Sequence, residues 1–153
     1  MTIQKNYGKP YRAREDLQER ISAVQEVIAF LRDSHLPLDR KKRMLHHAVW
    51  EVSIALGDSR PEFRSAGFLK QTEGTKTQRE HVYKRQRIVE DILRNEEPLD
   101  AIVKRIVHCM VTKDEHEKLD DIPDKNLDGW ARYRAAGIEV FSCAGDEPMN
   151  VDF

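Results

Sequence analysis

The chain has 153 residues, 39% of them hydrophobic, which is enough for one domain with a real core and too short to expect two full ones. Charged residues make up 35%, yet 26 Lys and Arg against 27 Asp and Glu leave a net charge of -1, so bulk electrostatics do not announce a nucleic-acid binder. Two cysteines, Cys109 and Cys143, with no CxxC pair argue against a disulfide framework and a zinc ribbon.

Residues 1–13 are polar, with Gly8 and Pro10, and read as a flexible arm. From Arg14 the apolar positions Leu17, Ile21, Val24, Val27, Ile28 and Leu31 recur at three- and four-residue spacing, the stripe of an amphipathic helix that should stop near Ser34-His35. Leu36-Pro37 makes the break. Asp39 is placed to cap a second helix carrying Leu45, Ala48, Val49, Val52, Ala55 and Leu56, so the two form an N-terminal helix pair. Gly57 to Pro61 has turn chemistry, and the stretch through Gly74-Thr75 reads as irregular or short-stranded.

Ile88, Val89, Ile92 and Leu93 mark a third helix, and Pro98 stands where a fourth can start, with Leu99, Ile102, Val103 and Ile106 on its buried side. Residues 106–111 lose helical spacing and read as a short strand. Thr112-Lys113-Asp114-Glu115 has the form of a capping box, so a helix should begin directly after that strand. A further helix carries Trp130 and Tyr133, Gly137 closes it, and Ile138–Phe141 reads as a strand. The expected fold is α+β: a mostly helical single domain over 14–141, with a small sheet or ββα-like element and an acidic loose tail over 142–153.

Charge is spread unevenly. Arg40, Lys41, Lys42 and Arg43 form one basic run and Lys76, Arg79, Lys84, Arg85 and Arg87 another, while the tail after Cys143 carries Asp146, Glu147 and Asp152 without a basic residue. A polyanion would be met by the middle of the chain; a solvated helix face explains such runs as well. Arg64, close to Arg60 and Ser65 in the loop, offers donors to a phosphate. Trp130, Arg132, Tyr133 and Arg134 combine aromatic and cationic groups, although Trp130 and Tyr133 share one helix face and suit a core.

The chemistry-bearing candidates are Glu80-His81-Val82 and His116, which closes the stretch beginning at His108. Hydrolysing a phosphodiester requires a base for the attacking water and an electrophile for the phosphate. A neutral His suits the first task, because its ordinary pKa of about 6.5 lies near working pH. A divalent ion held by a carboxylate and a nitrogen suits the second. Adjacent residues on a strand point to opposite faces, so an acid-His pair serves both tasks only where the strand twists. His46 and His47, adjacent on a helix, lie on different faces and cannot share a metal as an i, i+4 pair would.

Glu80-His81-Val82 resembles the (Asp/Glu)-His-(Ile/Val) segment of the HNH-type, ββα-metal nucleases, and Met110 to His116 is similar to the strand-to-helix segment that ends in their final His or Asn. The resemblance implies His81 as general base and Glu80 and His116 as ligands of a divalent metal such as Mg2+; the uneven charge, read by itself, gives Arg79, Lys84, Arg85, Arg87 and Arg64 as nucleic-acid contacts. Where that pattern carries a central Asn and a Pro soon after the first His, this chain has Lys84 and, nearby, only Asn95.

No phosphate loop, dinucleotide glycine fingerprint or GxSxG elbow is present, which sets aside nucleotide-driven and serine-hydrolase chemistry. No stretch approaches the roughly 18 apolar residues that spanning a bilayer takes, and residues 1–14 hold no apolar run of signal-peptide type, so the expectation is a cytoplasmic protein without membrane contact. The leading expectation is a metal-dependent nuclease or nuclease-like nucleic-acid-binding protein. Its rival is a non-catalytic regulator or inhibitor that binds a protein partner through charged helix faces.

Overall fold

A computed structural model describes residues 7–56 and 61–153. The fold is α+β and mostly helical. Its contacts group into two compact units that interleave along the chain: a sheet unit from residues 7–12, 61–82 and 108–153, and a helical unit from 13–56 and 83–107. The turn expected from Gly57 lies largely outside the described residues.

The helical unit contains α1 (Leu17–Asp33), α2 (Leu38–Ala55), α4 (Arg85–Arg94) and α5 (Leu99–Val103). The apolar stripes read from the sequence meet here: Ile28, Leu45, Val49, Ile88, Ile92 and Ile102 are all buried in one cluster. Each such side chain contributes about 1.5–3 kcal/mol relative to exposure. Helix α1 stops where Ser34 turns back on it, its amide and hydroxyl both donating to Leu31 O. Lys41 donates to the carbonyls of Arg32 and Ser34 at 2.9 and 2.8 Å, so one member of the first basic run serves as a helix-end cap. Asp39 sits in the first turn of α2, where its charge suits the helix dipole, but makes no capping hydrogen bond; the N-cap position is Pro37. Asn95, at φ 53°, closes α4 in the left-handed conformation that Asn tolerates.

The sheet unit carries β1 (Phe63–Ser65), α3 (Ala66–Leu69), β2 (Thr77–His81), β3 (His108–Thr112), α6 (Lys113–Asp120), α7 (Trp130–Ala135), β4 (Val140–Ser142) and β5 (Met149–Asn150). Its strands run in the order β2-β3-β1-β4-β5, with only the β1–β3 pair parallel. The strands expected over 106–111 and 138–141 are present as β3 and β4. What joins them is β1, too short at three residues to show a periodicity, yet central in the sheet.

Register divides the side chains between two faces. Glu80, Cys109, Phe63 and Ser142 stand in one cross-strand row, and Arg79, Met110, Arg64 and Phe141 in the next, which points the other way. Helices α6 and α7 cover the first face: Trp130 packs edge-on against Phe63 at 5.0 Å and stacks with Phe153. On the second face Phe68 and Leu69 of α3 pack with Met110, Phe141 and Cys143.

Both ends of the chain depart from expectation. The tail is not loose, because β5 pairs with β4, Val151 N donates to Val140 O, and Phe153 finds the Trp130 ring. Of the arm, residues 7–11 are tied down: Tyr11 N donates to Cys143 O, Tyr7 packs edge-on against Phe68, and Arg64 bonds the carbonyls of Tyr7 and Lys9. The tail is held by main-chain pairing to the strand just before it, and the arm by one main-chain bond and by side chains more than fifty positions away, which local composition does not encode.

Candidate functional site

Strands β2 and β3 pair antiparallel from Thr77↔Thr112 to His81↔His108, and α6 starts without a linker at Lys113. The helical unit's 83–107 segment occupies the sequence between the two strands. Two antiparallel strands followed at once by a helix make a ββα element, its two strands joined through helices and not through a short loop. The capping box forms as read: Glu115 N donates to Thr112 Oγ1 at 3.2 Å and Thr112 N to Glu115 Oε2 at 2.9 Å. The Glu115 carboxylate also accepts from Ser65 Oγ at 2.5 Å and Gly67 N at 3.0 Å, so the cap of α6 doubles as a bridge to the end of β1.

That start fixes where His116 falls. Its Nδ1 lies 2.6 Å from Glu80 Oε2, across 36 positions of sequence, and its Nε2 lies 3.1 Å from Asp120 Oδ2 one helical turn on. Glu80, with 12% of its side chain exposed, is held on its other oxygen by Arg132 of α7: Nη2 donates to Glu80 Oε1 at 2.9 Å and to the carbonyl of His81 at 2.8 Å. The Arg132 side chain is 5% exposed, and its buried Nε finds no hydrogen-bond partner. A buried guanidinium with one donor unused is costly, so the attraction to Glu80 must offset it.

Glu80 and His116 thus come together, while His81 does not join them. Strand β2 stays regular to its last residue, so alternation sends His81 to the opposite face, beside its cross-strand partner His108. The twist that would bring an acid-His pair to one point is missing.

A divalent ion does not fit the donors as they stand. Glu80 and His116 offer the hard oxygen and imidazole nitrogen such an ion takes. Both Glu80 oxygens are engaged, one of them by a buried cation, and both ring nitrogens of His116 face carboxylates. Among the described residues no three His, Cys, Asp or Glu side chains are grouped to hold a metal.

The basic residues divide. Arg64, expected at the surface beside a phosphate, is completely buried on β1, and its guanidinium donates to the carbonyls of Pro61, Tyr7 and Lys9 at 2.9, 2.7 and 2.5 Å. Carbonyl-rich surroundings inside the fold recruited it, so it is not available to a nucleic acid. Arg79 stands on the second face of β2, half-buried. Lys84 is the N-cap residue of α4, and Arg85 and Arg87 lie in its first turn, all half-buried. The Arg85 guanidinium lies over the Trp50 ring at 5.7 Å. Nearby His46 has its pKa lowered by burial and then by the positive charges of Arg85 and His47, which marks a locally positive field. Arg40, Lys42 and Arg43 are exposed.

Cys109 is fully buried, and burial, reinforced by the charge of Glu115, pushes its thiol well above the ordinary value, which leaves it inert as a nucleophile.

Two participants escaped the sequence reading. Asp120 carried a usable signal, its i, i+4 spacing from His116. Arg132 carried none: on paper it is one cation beside two aromatics, and only the packing of α7 turns it inward. Comparison of the chain with protein-family profiles, with curated proteins and with solved structures returned no match. Among the described residues no helix is long and apolar enough to cross a membrane.

Proposed function

We propose that the chain is a nuclease-like nucleic-acid-binding protein, built on a ββα element whose strands are separated in sequence by a helical insert. The observation that carries this reading is the contact of Glu80 on β2 with His116 on α6, directly behind the β2–β3 pair. Support for a polyanion comes from the helical unit, where Arg85 over Trp50 joins a π-face to a cation and His46 feels two positive neighbours. Binding rather than cleavage is the favoured activity, because alternation along β2 separates the candidate base His81 from Glu80 and His116.

The test combines two assays. Anisotropy of labelled DNA and RNA should show binding that weakens steeply with salt, and charge reversal at Lys84, Arg85 and Arg87 should flatten that dependence, since each neutralised phosphate releases a counterion. Plasmid incubated with Mg2+ should remain intact. Cleavage that His81→Ala abolishes while binding persists would establish a metal-dependent nuclease instead. A protein-binding role is the second reading, favoured by the exposure of Val27 (51%), Phe30 (72%) and Leu38 (59%) on α1 and α2. Absence of salt-sensitive binding at low ionic strength would leave that reading standing.

A further inference from the structure

We propose that Arg132 is the resident cation of the Glu80 site: its guanidinium stands where a divalent ion would neutralise the carboxylate, and Glu80, His116 and Arg132 form a metal-independent clasp that ties β2, α6 and α7 together. The inference rests on reading β2, β3 and α6 as a ββα element, for only there does Glu80 count as a ligand position.

Three observations carry it. Charge is balanced without an ion, since Glu80 has a buried guanidinium at 2.9 Å. That guanidinium is fixed, because the same Nη2 is held by the carbonyl of His81 and, at 3.4 Å, that of Val82. A second cation on this carboxylate would meet a like charge that cannot swing away, in surroundings where few water molecules screen the repulsion. Neither ring nitrogen of His116 points at open space, as Glu80 takes one and Asp120 the other. The three elements joined are distant in sequence, so one two-sided contact on Glu80 does what a bound ion does in small metal-stabilised folds.

Titration of the free protein with Mn2+, followed by calorimetry and by the thermal midpoint, tests this without any nucleic acid, so its outcome is independent of whether the chain binds one. The wild-type protein should take up no stoichiometric Mn2+, and its midpoint should be the same in Mn2+ and in a chelator. Arg132→Met removes the cation and keeps the apolar stem. It should create a one-ion site at least about tenfold tighter than any wild-type binding, lost again when Glu80→Gln is added. Should Arg132→Met not fold, Glu80→Gln alone decides: it strands the buried guanidinium, so its midpoint should fall by the same amount with Mn2+ as with chelator. One Mn2+ per wild-type chain that Glu80→Gln abolishes would overturn the proposal. So would a folded Arg132→Met that ignores Mn2+, or a Glu80→Gln penalty that appears only when Mn2+ is present.

Discussion

Glu115→Ala probes the bridge between α6 and the end of β1. The carboxylate accepts three hydrogen bonds, from Thr112 N, Gly67 N and Ser65 Oγ. Loss of a helix-capping interaction costs about 1 kcal/mol. A hydrogen bond to a charged acceptor contributes about 1.5–3 kcal/mol, but water can reach part of this half-buried site, and the three bonds share one group, so they do not add. The expected loss is about 2–4 kcal/mol, a fall of roughly 5–15 °C in the midpoint for a chain of this size. Trp130 lies in the sheet unit and Trp50 in the helical one, so a Trp50→Phe background makes fluorescence report the sheet unit alone.

Gly67 sharpens the test. A Cβ there would stand 2.5 Å from Glu115 Oε1 and 2.7 Å from Cδ, so Gly67→Ala must displace the carboxylate and break much of the same network. With Glu115 already replaced by Ala the obstruction is gone, and the methyl group should be neutral or favourable by about 0.5–1 kcal/mol, as Ala is relative to Gly in a helix. The double-mutant cycle should therefore show coupling of about 1–3 kcal/mol. A Glu115→Ala protein within about 0.5 kcal/mol of wild type, or additive effects of the two substitutions, would refute the bridge.

Arg64→Met should release residues 7–11 by removing the donors that hold Tyr7 O and Lys9 O, with a stability loss of about 1–3 kcal/mol because the buried Pro61 carbonyl also loses its partner; limited proteolysis that cuts the variant no faster than wild type near Tyr11 would contradict this. His46 should titrate below its ordinary value by NMR, and Arg85→Gln should move it back up, with no movement counting against the field of Arg85. The sign for stability follows: the folded state binds fewer protons at His46 than the unfolded chain. Its contribution is therefore nil above the ordinary His value, and stability is lost as pH falls from there through the folded value. His46→Gln should flatten that slope in denaturation curves taken across the window.

Local chemistry made much of this protein legible from the residues alone. The stripes of α1, α2 and α4 were visible because burial on one face imposes a 3.6-residue period. The start of α6 was visible because a capping box is satisfied within four residues. The meeting of Glu80 and His116 was implied only by the resemblance of their two segments to the ββα-metal pattern, not by local chemistry. Tertiary structure alone decided the rest. Strand β1 is three residues long and owes its place to partners more than forty positions away, so no local period announces it. Arg64 and Arg132 look like surface cations in sequence, and both lie inside because the fold leaves carbonyls or a carboxylate there that need donors. The separation of His81 from Glu80 follows from β2 staying straight to its end, which hydrogen bonding to β3 enforces residue by residue. Such features depend on what the folded chain brings alongside a residue, and neighbours in sequence carry no record of it.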